Sequence, residues 1–251
     1  MHLRDGQVWQ SGNEGYSWAI PKAVEHEKVL AVYLHRYSND RAYLITHSKI
    51  YVTTDTGRSY TGLDLPSQPN MMGLGLIHAH PLKSDWLIYI GAEDCGTPGN
   101  CKAVAYYSTS HGRSWIMIEK YVRTCSWARD QDLNIDARLI ICESYRDKKG
   151  SQLFFGGNNP LELWIGANFY KDRKKLFDNV VGHAKFSEYL LVGEVFFFHS
   201  ELLCLSTDRP SAQVTKNSLE LQVSLDGKTY HKGMFPPSMS LNNHVRYNLL
   251  P

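Results

Sequence analysis

Two histidines have a spacing that could bind a metal ion. His78 and His80 alternate on one predicted strand, so their imidazoles could share a face of that strand and act as two ligands. No third Cys, Asp or Glu lies at a suggestive spacing, and the cysteines form no zinc pattern. Histidines at strand ends are common in proteins that bind no metal. We therefore expect neither a metal nor another cofactor.

Three arginines could serve another chemistry, the recognition of a substrate carboxylate by a sialidase-like glycoside hydrolase. Such an enzyme needs a cluster of arginines, a Tyr/Glu nucleophile pair and an acid. Arg36, Arg41 and Arg123 cannot be placed as a triad, and an Arg-Ile-Pro signature is absent. No cysteine nucleophile is paired with a histidine beyond coincidence. We predict that the chain is not an enzyme and has no catalytic residue, and we keep the hydrolase as an alternative.

The most regularly spaced polar residues belong to a repeated turn, Ser/Thr-x-Asp-x-Gly-x-Ser/Thr-aromatic, called the Asp-box. Its carboxylate accepts hydrogen bonds from backbone N–H groups across the turn, and its Gly supplies a positive φ. The closing hydroxyl can bond back to the acid, and the aromatic side chain packs between neighbouring sheets. Because all these roles are structural, we assign no catalysis to the acids of the boxes.

Five boxes can be placed along the chain. Their positions are Ser11, Asn13, Gly15 and Trp18 in box 1 (11–18); Thr53, Asp55, Gly57 and Tyr60 in box 2 (53–60); Ser108, Gly112 and Trp115 in box 3 (108–115), where Ser110 replaces the acid; a degenerate box 4 (166–170), whose aromatic comes early; and Ser224, Asp226, Gly227 and Tyr230 in box 5 (224–230), which is one residue shorter. The intervals between first positions are 42, 55, 58 and 58 residues. Periods of roughly 40–60 residues are typical of β-propellers with one four-stranded blade per repeat.

Runs rich in Tyr, Val, Ile and Leu between the boxes predict the strands. They are Val29–Arg36, Arg41–Thr46, Lys49–Thr54 and Arg58–Leu65 around box 2; Gly73–His80, Trp86–Ala92, Ala103–Thr109 and Ser114–Val122 around box 3; Ala137–Tyr145 and Leu161–Asn168 before box 4; and Glu188–Phe198, Glu201–Ser206, Leu219–Ser224 and Lys228–Phe235 around box 5. The blade of box 1 lacks the two strands that should precede it, and His244–Leu250 resembles the first strand of a further blade. The sequence thus predicts an all-β propeller segment, 1–251, of about four and a half blades, cut inside blades at both ends. A closed five-bladed ring and a part of a larger ring both stay open.

The net charge of +2 over 251 residues creates no strong field, so neither nucleic acid nor an anionic membrane is expected as a partner. No apolar run is long enough to span a bilayer, and the first ten residues lack the apolar core of a signal peptide. The basic run at 171–175 is interpreted as a solvated turn and strand edge, with a partner-binding patch as the alternative.

Landmarks between the boxes resemble the luminal receptor domain of the sortilin family, in particular its fungal vacuolar sorting members. They are His80-Pro-Leu-Lys-Ser-Asp85-Trp86, Val122-Arg-Thr-Cys125-Ser-Trp127, Ile141-Cys142, Leu161-Glu-Leu-Trp164 and Val223-Ser-Leu-Asp-Gly-Lys-Thr-Tyr. The resemblance implies a ten-bladed propeller, of which about half is expected here, followed by a cysteine-rich module, a membrane span and a cytosolic tail. A chain of this extent could pair with the remaining blades or with itself, or be a truncated receptor without independent function.

The resemblance also implies a function in transport between Golgi, endosome and vacuole, with the chain in the lumen of the secretory pathway. Family members hold peptide or protein cargo, such as vacuolar hydrolase precursors, against the inner strands of the propeller. The implied disulfides are Cys95–Cys101 and Cys125–Cys142, which leaves Cys204 over. The family's peptide-anchoring arginine lies on a later blade, so no ligand-binding residue is assigned. The apolar run 195–199 could line the binding site or pack between blades.

Overall fold

The computed structural model describes residues 1–71, 75–97, 100–148, 159–185, 190–198 and 216–233. Within these residues the chain consists almost entirely of antiparallel β-sheets. Two predicted strands, Glu201–Ser206 and His244–Leu250, lie outside the described residues, as does Cys204.

The chain begins with a two-stranded hairpin of β1 (His2–Arg4) and β2 (Gln7–Trp9), followed by box 1 and a bridge between Gln10 and Ala19. The sequence predicted that two strands are missing before box 1. One of them is present as β1, so the prediction was wrong for that strand. A strand of three residues next to a two-residue turn carries too little apolar pattern to be predicted. A short 3-10 turn (Lys22–Val24) leads to the next sheet.

The second sheet has four strands in sequential order, and box 2 joins its third strand to its fourth. The strands are β3 (Ala31–Leu34), β4 (Ala42–Ile45), β5 (Lys49–Thr53) and β6 (Thr61–Asp64). All four confirm the predicted strands, with shorter ends. Every residue of β4 is buried, because both faces of this sheet are covered.

The third sheet repeats this plan, and box 3 joins its last two strands. Its strands are β7 (Gln68–Pro69), β8 (Ile77–Ala79), β9 (Leu87–Glu93), β10 (Lys102–Ser108) and β11 (Ile116–Lys120). Both β7 and β8 pair with β9, so together they form one edge of the sheet. The predicted strand at Gly73–His80 corresponds to β8.

A seven-stranded sheet contains the next two blades. Its elements are β12 (Val122–Trp127), β13 (Ile140–Tyr145), β14 (Leu161–Gly166), a turn α1 (Ala167–Tyr170), β15 (Asp172–Lys185), β16 (Leu190–Phe198), β17 (Lys216–Ser224) and β18 (His231–Gly233). β14 pairs with residues 173–180 of β15, whereas β16 pairs with residues 180–185. The long strand β15 is therefore the last strand of one blade and the first strand of the next.

This arrangement corrects one prediction. The sequence placed Glu188–Phe198 first in its blade, but β16 is the second strand, because the C-terminal half of β15 precedes it. The 14 residues of β15 contain the turn-forming pair Asp178-Asn179, with Asn179 at a φ of 55°, yet the strand continues through it, so the boundary between the two blades lies inside one strand. Box 4 does lie at the turn between third and fourth strands, with left-handed backbone at Asn168 and Phe169 (φ 54° and 59°).

The hydrophobic cores lie between neighbouring sheets, which is the packing of propeller blades. One core joins the second sheet to the third through Ile45, Ile50, Leu76 and Leu87. Another joins β9 and β10 to β12 and β13 through Ile88, Tyr107, Trp127 and Ile140. A third joins the two blades of the seven-stranded sheet through Ile141, Leu163, Leu190 and Val192. Together with the sheets, these cores confirm an all-β propeller fold.

Candidate functional site at the inner strands

The second box forms a closed network of hydrogen bonds. Gly57 donates its N–H to Thr53 Oγ1 at 2.9 Å, while Ser59 donates its N–H and its hydroxyl to the two oxygens of Asp55 at 3.0 and 2.6 Å. The bonds from Ser59, then that from Thr53, lower the pKa of the Asp55 carboxyl to about 2. Both oxygens of this acid thus accept hydrogen bonds from its own turn.

Boxes 5 and 1 form equivalent hydrogen bonds, with an Asp and an Asn as the respective acceptors. In box 5, Asp226 Oδ1 accepts the N–H groups of Thr229 and Lys228 at 2.7 and 2.8 Å, which lowers the pKa of Asp226 to about 2. In box 1, Asn13 Oδ1 replaces the carboxylate and accepts the N–H of Ser17 at 2.9 Å. The turn therefore needs an oxygen acceptor at this position, and the charge is secondary.

The third box is the weakest of these turns. Its Ser110 Oγ accepts the N–H of Ser114 at 3.2 Å. The aromatic side chain of this box, Trp115, packs between sheets with its ring centroid 5.6 Å from that of Tyr89. By contrast, Trp18 of box 1 is half exposed and donates its indole N–H back to its own turn.

Boxes 2 and 3 are also tied to the loop that follows the first strand of their blades. Thr56 of box 2 has a φ of 60° and donates its N–H to Asp40 O at 2.9 Å. His111 of box 3 has a φ of 58° and makes the equivalent bond to Asp85 O at 2.9 Å. This bond could not be predicted from the sequence, because the fourth box position has no fixed residue type.

The structure contains two disulfides. Cys125 and Cys142 lie directly opposite each other on β12 and β13, with a Cα–Cα distance of 4.1 Å. Cys95 and Cys101 close the loop between β9 and β10. The pairs are those that the family resemblance implied.

The two candidate metal ligands have separate partners. His80 is fully buried, with Nε2 3.1 Å from Ala137 O and Nδ1 accepting the N–H of Leu82 at 3.0 Å. Burial lowers the pKa of His80 to about 4. His78 Nε2 lies 3.4 Å from Thr124 Oγ1. Within the described ranges, no three His, Cys, Asp or Glu side chains come together in a way that could hold a metal ion.

The three arginines considered for carboxylate binding also have separate partners. Arg36 lies over a tyrosine ring, 5.7 Å from its centroid. Arg41 Nη1 lies 3.0 Å from His111 Nδ1, and Arg123 Nε donates to Glu143 Oε2 at 2.5 Å. Each guanidinium is therefore bound to a different part of the fold.

The first strands of the blades, called the inner strands, share one property. They are β3, β8, β12 and residues 182–185 of β15. Among the described residues, each pairs with a single neighbour, the second strand of its blade, so no described strand of its own sheet pairs with the other edge. We call these the open edges.

The hydrogen-bond alternation fixes which residues of β12 point to its open edge. Ala128 donates its N–H to Leu139 O at 3.0 Å, and Cys125 faces Cys142 at the short Cα distance of a non-hydrogen-bonded pair. The N–H and C=O groups of Cys125 and Trp127 are consequently directed away from β13, to the open edge.

A lysine of the following blade occupies the end of this edge. Lys185 Nζ donates to Trp127 O at 3.2 Å and to Arg129 O at 2.9 Å, and lies 3.5 Å from Asp130 Oδ2. Burial lowers the pKa of Lys185 to about 8, although Asp130 opposes this shift. Tyr37, in the loop after β3, donates its hydroxyl to Asp130 at 3.1 Å. The network links loops of three blades.

A buried acid lies between the two blades of the seven-stranded sheet. Glu143, with its side chain 1% exposed, accepts hydrogen bonds from the N–H and Nδ1 of His183 at 2.8 and 2.7 Å, and from Arg123. Burial alone would raise the pKa of Glu143, but His183 and Arg123 together lower it below its usual value. His183 Nε2 in turn lies 3.3 Å from Ser126 Oγ. This cluster was not among the predicted sites, although the charged Glu143 inside the apolar run 140–145 is a signal for a buried polar contact.

Comparisons with known proteins show which family this chain is similar to. The family model Sortilin-Vps10, described as "Sortilin, neurotensin receptor 3", matches residues 6–251. A vacuolar protein sorting/targeting protein 10 from Laccaria bicolor is 45% identical over 247 residues, and one from Mycosarcoma maydis is 43% identical over 257. Each alignment covers 98% of this chain but 16% of the relative, so the chain spans about one sixth of these proteins.

Solved structures are more distantly similar. An ancestral GH74 enzyme aligns with 91% of this chain and 28% of its own, at 12% identity and a TM-score of 0.49. The GH74 enzyme of Niastella koreensis aligns with 81% of this chain and 30% of its own, at 14% identity and a TM-score of 0.47. Among the helices of the described part, none is long and apolar enough to cross a membrane. The family model matches nearly the whole chain, and two fungal members are 45% and 43% identical to it, so the chain belongs to the Sortilin-Vps10 family.

Proposed function

We propose that the chain forms part of the cargo-binding propeller of a luminal sorting receptor. Its cargo would be peptides or proteins such as vacuolar hydrolase precursors, bound for transport from the Golgi to the endosome and vacuole. The name of the fungal relatives, vacuolar protein sorting/targeting protein, supports a sorting function. The observation that supports the proposal is the open edge that each blade has on its first strand, on β3, β8, β12 and residues 182–185.

An open edge can bind an extended peptide by adding it to the sheet as a further strand. On β12 the available groups belong to alternate residues, Cys125 and Trp127, and Lys185 already occupies the carbonyl of Trp127. A peptide would therefore pair upstream of that carbonyl. Backbone pairing gives affinity for many sequences, while the neighbouring side chains give selectivity.

The proposed binding can be tested by capture of cargo. Propeptides of vacuolar hydrolases are immobilised and incubated with the chain after expression through a secretory pathway, and a scrambled propeptide serves as the control. Specific retention is expected. Retention by neither propeptide, with retention of a full-length relative, would favour a truncated receptor without independent function.

The glycosidase alternative predicts turnover of a fluorogenic sialoside. The separate partners of Arg36, Arg41 and Arg123 argue against the carboxylate site that this activity requires. We expect no turnover above that of the heat-denatured chain, and clear turnover would contradict the receptor proposal.

A further inference from the structure

Ser126, His183 and Glu143 form a continuous hydrogen-bonded chain beside the open edge of β12. Ser126 Oγ lies 3.3 Å from His183 Nε2, and His183 Nδ1 lies 2.7 Å from Glu143 Oε1. The three residues come from β12, from the C-terminal half of β15 and from β13. An acid, an imidazole and a hydroxyl in this order are the groups that activate a serine nucleophile.

The surroundings fix the role of each group. Because the Glu143 carboxylate accepts from Nδ1, the proton of a neutral His183 ring is on Nδ1 and the lone pair of Nε2 is directed at the Ser126 hydroxyl. Glu143 is itself held by the N–H of His183 and by Arg123. The carboxylate therefore cannot rotate away from the imidazole without losing several bonds.

The backbone also supplies a donor for a developing oxyanion. The residue after the serine, Trp127, turns its N–H to the open edge, as the alternation along β12 requires. A backbone N–H directly after the nucleophile is a recurrent oxyanion donor in acyl transfer. Ser126 is partly exposed, whereas the side chain of His183 is 6% exposed, so only a small acyl group can approach the serine.

We propose that this cluster is an acyl-transfer site that takes small acyl esters. Ser126 Oγ attacks the ester carbonyl and passes its proton to His183 Nε2, which then protonates the departing alcohol as the C–O bond breaks. Water, activated by the same imidazole, hydrolyses the acyl-serine and restores the hydroxyl. Ser126 and His183 are the catalytic residues of this site, and Glu143 is a positioning residue.

The direct test is labelling of the chain by a fluorophosphonate probe, in which the serine oxygen displaces fluoride from phosphorus. Intact-mass analysis should show one adduct, and peptide mapping should place it on Ser126. Ser126→Ala should abolish it, and His183→Gln should slow it by about 100-fold or more. The matched control is Ser59→Ala, because Ser59 also donates to a carboxylate but has no histidine in its turn. This variant should be labelled like the unchanged chain.

The same variants are assayed for p-nitrophenyl acetate hydrolysis, with circular dichroism as a check of folding. Glu143→Gln should slow both reactions, and Glu143→Asp should restore part of the rate if the carboxylate positions the imidazole. Absence of an adduct on the folded chain would overturn the proposal. An adduct on another serine, or equal labelling of folded His183→Gln, would overturn it as well. None of these outcomes bears on cargo binding.

Discussion

Asp55 and Glu143 are both carboxylates with a lowered pKa, but they lie in different surroundings. Asp55 is partly exposed and accepts hydrogen bonds from its own turn, so it closes a hairpin. Glu143 is buried between blades, where His183 and Arg123 compensate the loss of hydration. The first acid organises one turn, whereas the second joins three strands.

Exchanging the acceptors of boxes 2 and 3 tests the role of the box acid. Asp55→Ser should lower Tm by a few degrees, because a hydroxyl cannot accept all the bonds that the carboxylate receives. Ser110→Asp should raise Tm, because it gives Ser114 a charged acceptor. Differential scanning fluorimetry measures both. Shifts of the same sign would contradict a shared role.

The effect of Asp55 should depend on pH. Its pKa is about 2 in the folded chain and 3.8 without these contacts, so its stabilisation is complete above about pH 5 and is lost as the pH falls towards 2. The Tm difference between the unchanged chain and Asp55→Ser should therefore shrink between pH 5 and pH 2. A difference that stays constant over this range would rule out the carboxylate as its source.

Glu143→Gln should be far more damaging than a change at the surface. Replacing one member of a buried charged cluster leaves its partners uncompensated, so the free energy of unfolding should fall by about 3 kcal/mol. In Asp178→Asn, which breaks a half-exposed pair with Lys175, the loss should stay below about 1 kcal/mol. Urea unfolding compares the two variants, and equal losses would refute the role assigned to Glu143.

The strands and turns show what could be predicted from the sequence. Box turns depend on local residue types, so the hairpins of β5–β6, β10–β11 and β17–β18 followed from the sequence. The shared strand β15 and the pairing of Glu143 with His183 depend on which strands become neighbours in space. The box motif carries no information on that choice.

The disulfide between β12 and β13 should stabilise an inner strand that has a single neighbour. With a sequence separation of 17 between the cysteines, replacing Cys125 and Cys142 by alanine should lower the free energy of unfolding by about 3 kcal/mol. The shorter loop at Cys95 and Cys101, with a separation of 6, should give about 2 kcal/mol. Non-reducing peptide mapping comes first, and free thiols at these four positions after secretory expression would contradict the pairing.

The blades are held together by cores that lie between sheets, so each inner strand is fixed on its faces while its edge stays open. Propeller folds need these faces covered by neighbouring blades. The same packing leaves the inner edges as a row of backbone donors and acceptors. This row is the basis of the proposed cargo binding.

The most direct test of that proposal is calorimetric titration of the chain with a hydrolase propeptide and with its backbone N-methylated derivatives. Strand addition uses the N–H groups of alternate peptide residues, so methylation at one set of alternate positions should abolish binding and methylation at the other set should leave it nearly unchanged. Binding that is insensitive to N-methylation, or reduced equally at every position, would contradict an open-edge site.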